Sequence, residues 1–221
     1  MKIASATLRK DFRLEWRSKD ALNAMGFFAL LTITIFAFAF EPNAEESRRI
    51  SGGIIWVALL FASVIALNQA WTRELRNQVV DALRLAPGAA TQIFVAKLIG
   101  NFLFVCFVEA ILAPVMIAFY NLRSIGPAWQ LVVTFLLGTW ALVVVGTFFG
   151  ALTMRTRSRE VMLPLLLFPI AVPAMIAMVQ ATTLVLTGEG SPDLWMKLLA
   201  GYDVVFTTAS VLLFETVLHA E

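Results

Sequence analysis

Residues 128–153 read AWQLVVTFLLGTWALVVVGTFFGALT, a stretch of 26 without one charged side chain. The hydrocarbon core of a bilayer is about 30 Å thick and takes roughly 20 helical residues to cross. In lipid a backbone must satisfy its own polar groups, so an uninterrupted apolar run of this length is a helix. Working outward, five further runs of similar length occur at about 22–40, 52–71, 93–120, 161–186 and 202–219. The sequence thus predicts an all-α integral membrane protein with six transmembrane helices in a single transmembrane domain over 1–221. An amphipathic arm (1–21) precedes them, and a polar segment (72–87) joins spans 2 and 3. No loop is long enough for a soluble domain. Charged residues make up 14% of the chain and hydrophobic ones 60%, whereas a soluble domain carries about a quarter charged residues.

The position of the charges gives the orientation. Lys2, Arg9, Lys10, Arg13, Arg17 and Lys19 precede span 1; Arg73, Arg76 and Arg84 follow span 2, with Lys97 just inside span 3; Arg155, Arg157 and Arg159 follow span 4. The other side holds only Arg48, Arg49, Arg123 and Lys197. Thirteen basic residues against four place the N-terminus in the cytoplasm by the positive-inside rule, and six crossings return the C-terminus there. Ala37-Phe38-Ala39 has the small-x-small form of a signal-peptidase site. The apolar run before it, however, exceeds the 7–15 residues of a signal core, and the arm carries Asp11, Glu15 and Asp20. The first span is therefore expected to stay. Cys106 is the single cysteine, so no intrachain disulfide is available.

In the arm, Leu8, Phe12, Glu15 and Trp16 share a helical face, with Arg9, Lys10, Arg13, Arg17 and Lys19 around the rest. Such a helix lies in the membrane interface, its cations toward anionic lipid and Trp16 at headgroup depth. In the segment between spans 2 and 3, Leu75, Val79 and Leu83 form a helical stripe, with Arg73, Arg76, Asn77, Asp81 and Arg84 off it and Pro87-Gly88 ending it. Spacing alone fits two readings equally: an idle surface helix held by its own charge pairs, or a coupling helix that receives force from a soluble partner.

Three polar residues interrupt span 3. Lys97 and Asn101 lie one turn apart, Lys97 near enough to the cytoplasm to snorkel. Glu109 is near mid-membrane, where ionisable residues are rare and associated with function; an interhelical hydrogen bond explains it as well as a transport role. Pro164, Pro169 and Pro173 in span 5 each remove a helix hydrogen bond and predict a kinked or broken helix, for flexing or for packing. Gly138, Gly146 and Gly150 share a face of span 4 and permit close helix contact.

The sequence offers no catalytic or metal-ligating set. It has no GxxxxGK[ST] loop, no HExxH and no GxSxG, and His219 is the single histidine. An enzyme is poorly supported, and any ATP hydrolysis belongs to a separate chain.

Several stretches together resemble one family. They are Gly53-Ile54-Ile55-Trp56-Val57-Ala58-Leu59-Leu60, the segment from Glu74-Leu75 through Asp81-Ala82-Leu83-Arg84-Leu85-Ala86-Pro87, Ala96-Lys97, Gly150-Ala151-Leu152-Thr153, Pro169-x-x-x-Pro173 and the arm Lys10-Asp11-x-Arg13-x-Glu15. In this order and over nearly the whole chain they resemble the haem exporter B (CcmB) family of bacterial cytochrome c maturation. The chain departs from the family pattern at Gln78, where members often carry glycine, and Glu109 has no counterpart in it.

The resemblance implies an ABC-2-like permease of the bacterial inner membrane, in two copies, coupling ATP hydrolysis to haem export or to release of a haem-loaded chaperone. It implies a CcmA-like ATPase docking under 72–87, where Arg73, Glu74, Arg76, Asp81 and Arg84 would form the coupling surface. The other implied partners are a CcmC-like haem-handling protein, a CcmD-like small subunit and a CcmE-like haem chaperone. Haem would be cargo and ATP would act through the partner, with no cofactor bound directly. An ABC-2 permease for a lipid, polysaccharide or drug, and a scaffold without a transport cycle, are the alternatives the residues leave open.

Overall fold

The structure, a computed structural model, describes residues 2–40, 44–76, 89–122, 124–154, 156 and 158–219. Seven α-helices lie among them: α1 (Lys2–Ser18), α2 (Asp20–Ala39), α3 (Ala44–Arg76), α4 (Ala89–Tyr120), α5 (Ala128–Thr153), α6 (Arg159–Thr187) and α7 (Asp193–His219). Helices α2 to α7 are each long and apolar enough to cross a membrane, and they run alternately up and down. The bundle end that holds α1 is called the inner end below, and the opposite end the outer end.

Two helices run outside their expected spans. Helix α3 extends to Ala44 at its outer end and to Arg76 at its inner end. Helix α7 begins at Asp193 rather than near 202. Its first turns are amphipathic, with Asp193 and Lys197 exposed while Leu199 is buried, so a pattern sought as continuous hydrophobicity misses them.

Helix α3 is the axis of the bundle, packing against α2, α4, α5 and α6. Against α5 it is tightly interlocked, and the glycines explain it. A Cβ at Gly138 would run into the Trp56 indole, one at Gly146 into Leu67, and one at Gly150 would sit 2.8 Å from Trp71 Cδ1. Small residues on α5 thus receive two indoles and a leucine from α3, the interlocking by which helices associate without a hydrophobic drive of their own in lipid. Both indoles are buried and also hydrogen-bonded. Trp56 Nε1 donates to Thr182 Oγ1 on α6 at 2.9 Å, and Trp71 Nε1 donates to the Thr147 carbonyl on α5 at 3.1 Å.

Helix α6 is continuous through Pro164, Pro169 and Pro173, so the prolines do not break it. Tyr202 on α7 donates its hydroxyl to the Ile170 carbonyl, between the last two prolines, at 3.0 Å. Neighbouring helices supply donors where proline has disturbed the ladder. At the outer end, the amides of Ile125 and Gly126 bond the carbonyls of Leu186 and Val185, and Arg49 bridges to Glu189 at 2.6 Å. Large apolar side chains such as Phe27, Phe38, Leu165, Val204 and Leu212 are exposed around the outside, as a lipid-facing surface requires.

Candidate functional site: a buried charge cluster at the inner end

Helix α1 ends at Ser18, and Lys19 adopts a left-handed conformation (φ 56°) before α2 begins. Glu15 secures this elbow. Its side chain is buried, and Oε1 accepts the amide of Leu22 at 3.0 Å, capping the first turn of α2. The elbow sets α1 along the inner part of α4, where the rings of Phe12 and Phe104 meet at 4.9 Å and Leu8 lies against Gly100.

The packed face of α1 keeps Leu8, Phe12 and Glu15 of the expected stripe but not Trp16. Its centre is Thr7 and Glu15, with Asp11 between them, while Trp16 is 71% exposed. The reason is a cation beneath it. Lys97, near the inner end of α4, is only 3% exposed. Its Nζ lies 2.8 Å from Asp11 Oδ2 on α1 and 2.5 Å from Glu74 Oε1 on α3; it also donates to the Ala70 carbonyl at 3.3 Å. The Trp71 ring lies 5.8 Å from the same Nζ, within cation–π range. Lys97 therefore does not snorkel: it finds all its acceptors inside the protein. Lys10 completes the cluster, at 2.5 Å from Glu74 Oε1 and 3.5 Å from Asp11 Oδ1.

Two lysines and two carboxylates thus tie three helices together in a charge-balanced, largely desolvated group. Burial raises the pKa of the Glu74 carboxyl, but the charge of Lys97 and the hydrogen bonds from Lys10 and Lys97 outweigh it and hold the carboxyl below its ordinary value. Beside the cluster a cavity of about 30 Å³ is lined by Asp11, Glu15, Gln69, Lys97 and Asn101, large enough for one water. Asn101 donates Nδ2 to Thr147 Oγ1 on α5 at 3.0 Å, extending the polar contacts to a fourth helix.

The residues singled out from sequence thus divide. Glu74 and Lys97 meet, and Asn101 lies beside them. Arg73 and Arg76 belong to the last turns of α3, while Asp81, Arg84 and the Pro87-Gly88 break lie outside the described residues. Glu109 sits apart from the cluster, buried, and accepts a hydrogen bond from the Thr139 hydroxyl on α5. Sequence reading missed Asp11 as a partner of Lys97 and Lys10 as a partner of Glu74. The available signal was the pair of carboxylates in a basic arm, since a buried lysine requires one nearby. It also missed Asp203 on α7, which is buried with no hydrogen-bond partner for either carboxylate oxygen among the described residues.

The sequence model of the CcmB family, described as "CcmB protein", matches residues 2–219. The chain belongs to the CcmB family. It is similar to the "Heme exporter protein B" of Rhodobacter capsulatus, 30% identical over 77% of this chain and 78% of that protein. The Paracoccus denitrificans protein of the same name is 31% identical over the same shares. That of Pseudomonas aeruginosa is 27% identical over 95% of this chain and 94% of its own length. The match takes in the arm, the charge cluster and all six spans, so the whole of α1–α7 is a multi-pass membrane protein of this family.

Proposed function

We propose that this chain is the non-catalytic membrane subunit of an ABC-type complex in the bacterial inner membrane that serves cytochrome c biogenesis. The name of the relatives, heme exporter protein B, supports haem as cargo of that complex. The complex would export haem or release a haem-loaded chaperone, driven by a CcmA-like ATPase, with CcmC-like, CcmD-like and CcmE-like partners and two copies of this chain. Haem is substrate here. With His219 as its single histidine, the chain offers no pair of imidazoles for axial ligation. Its part is to move rather than to hold the haem iron.

The observation that carries this mechanism is the anchoring of Glu74. It stands at the inner end of α3, within the last turn of that helix and at the start of segment 72–87, and is bonded to Lys97 at the inner end of α4 and to Lys10 on α1. A push on that segment is therefore delivered to three helices at once. The axial helix α3 then carries it through the glycine contacts into α5. The burial of Glu74 takes it out of the expected coupling surface and makes it the anchor beneath that surface. With Arg73, Arg76, Asp81 and Arg84 as the docking surface, replacing Arg76, Asp81 and Arg84 together by alanine is expected to abolish co-purification of the ATPase and formation of cytochrome c. Retention of both would overturn the coupling role and favour a scaffold; loss of docking in cells whose cytochrome c is unaffected would favour another cargo.

A further inference from the structure

Helix α2 and the outer half of α4 leave between them a groove of about 410 Å³ open to the outside of the bundle. Its mouth holds Trp16, Lys19 and Asn23. Its walls are Gly26, Phe27 and Leu30 on α2 and Phe107, Ile111 and Val115 on α4. The groove is closed half-way across. Ile33 is fully buried, and Tyr120 donates its hydroxyl to the Ile33 carbonyl at 3.1 Å, drawing the outer ends of the two helices together. From Lys19 to Leu30 is about 16 Å at 1.5 Å per residue, which is close to half of a 30 Å hydrocarbon core. We propose that this groove binds one anionic glycerophospholipid of the inner leaflet, its phosphate at Lys19 and one acyl chain along Phe27, Leu30 and Ile111.

Three features select this occupant. The polarity of the groove runs from cation and indole at the mouth to unbroken hydrocarbon inside, the order of a lipid from headgroup to tail. A transmembrane helix of a partner or of a second copy needs a face running the full length of the bundle and about 10 Å of width, whereas this groove is shut beyond Leu30 and Val115 by the contact of Tyr120 with Ile33. Gly26 has no neighbour within 4 Å of a Cβ, so its small size serves no helix contact within the chain and instead keeps the groove open. Lys19 is exposed at the elbow in the left-handed conformation, with Arg17 and Asp20 as its nearest charged neighbours in sequence.

The test is native mass spectrometry of the full chain, purified in mild detergent and titrated with phosphatidylglycerol or phosphatidylcholine. One phosphatidylglycerol per chain should be retained. Lys19→Asn keeps a residue that tolerates the left-handed conformation and should weaken phosphatidylglycerol about fivefold, as for loss of one interfacial cation, with phosphatidylcholine unchanged. Gly26→Phe should abolish retention by filling the groove. A benzophenone side chain in place of Ile111 should crosslink to lipid in membranes. Equal phosphatidylglycerol retention by wild type and both variants, or crosslinking at position 111 to another protein or a second copy, would overturn the assignment.

Discussion

Removing Lys97 alone should do more damage than removing it together with Glu74. The four-membered cluster holds Lys10 and Lys97 against Asp11 and Glu74. Lys97→Met leaves Lys10 facing two carboxylates, of which Glu74 is almost wholly buried. Breaking a buried pair from one side costs about 3–5 kcal/mol, because a charge remains without its counter-ion. Lys97→Met with Glu74→Leu instead leaves Lys10 and Asp11 as a matched pair, and replacing a buried ion pair by apolar residues of similar volume is often neutral or stabilising. In thermal unfolding of the detergent-purified chain, at roughly 2–4 °C per kcal/mol for a domain of this size, the single variant should lose about 6–20 °C. The double should lie within about 4 °C of wild type, on the same scale. A double variant as unstable as the two singles added together would refute the claim that the pair stabilises by mutual neutralisation. A single variant with no loss would refute the claim that it is buried.

Other outcomes follow from the same contacts. Gly146→Leu places a side chain where Leu67 of α3 now packs and should destabilise by about 1–3 kcal/mol, whereas Gly53→Leu, with open space at its Cβ, should not; thermal unfolding of both separates close packing from helix propensity. Glu74 has its carboxyl held below the ordinary value of 4.5, so its ion pairs contribute fully above that pH and are lost as pH falls through the lowered value. The wild type should therefore lose stability below pH 4.5, and Glu74→Gln, already lower at neutral pH, should show a flatter acid limb in the same assay. Glu109→Gln keeps an oxygen for the Thr139 hydroxyl and should change stability by less than about 1 kcal/mol. A larger loss in unfolding, or loss of cytochrome c formation at normal protein level, would mean that the acid itself is required.

The six spans were legible because each is a long apolar run, and lipid allows such a run only one backbone conformation. The glycine face of span 4 was legible for a similar reason, since small residues at helical spacing mean close approach whatever the partner. That the partners would be Trp56, Leu67 and Trp71 was not, because they lie far away in the chain. The arm was legible in part, since Leu8, Phe12 and Glu15 of its stripe do pack. Trp16 of the same stripe is exposed instead, and Asp11, outside the stripe, turns inward to Lys97 on α4. An amphipathic pattern records the solvent a helix avoids, and here the decisive neighbour was a charge. For span 5 the prolines signalled disturbance but not its outcome: α6 stays continuous, and Tyr202 bonds a carbonyl within the disturbed turn.

The most direct measurement is cytochrome c yield in cells carrying the Lys97→Met, Glu74→Leu double variant, with membrane level of the chain and bound ATPase measured alongside. If the cluster passes the partner's stroke into the bundle, level and ATPase binding should stay near wild type while the yield falls at least about tenfold, a change of roughly 1.4 kcal/mol in coupling. Wild-type yield from this variant would contradict a transmitting role for the cluster and leave it as structural support alone.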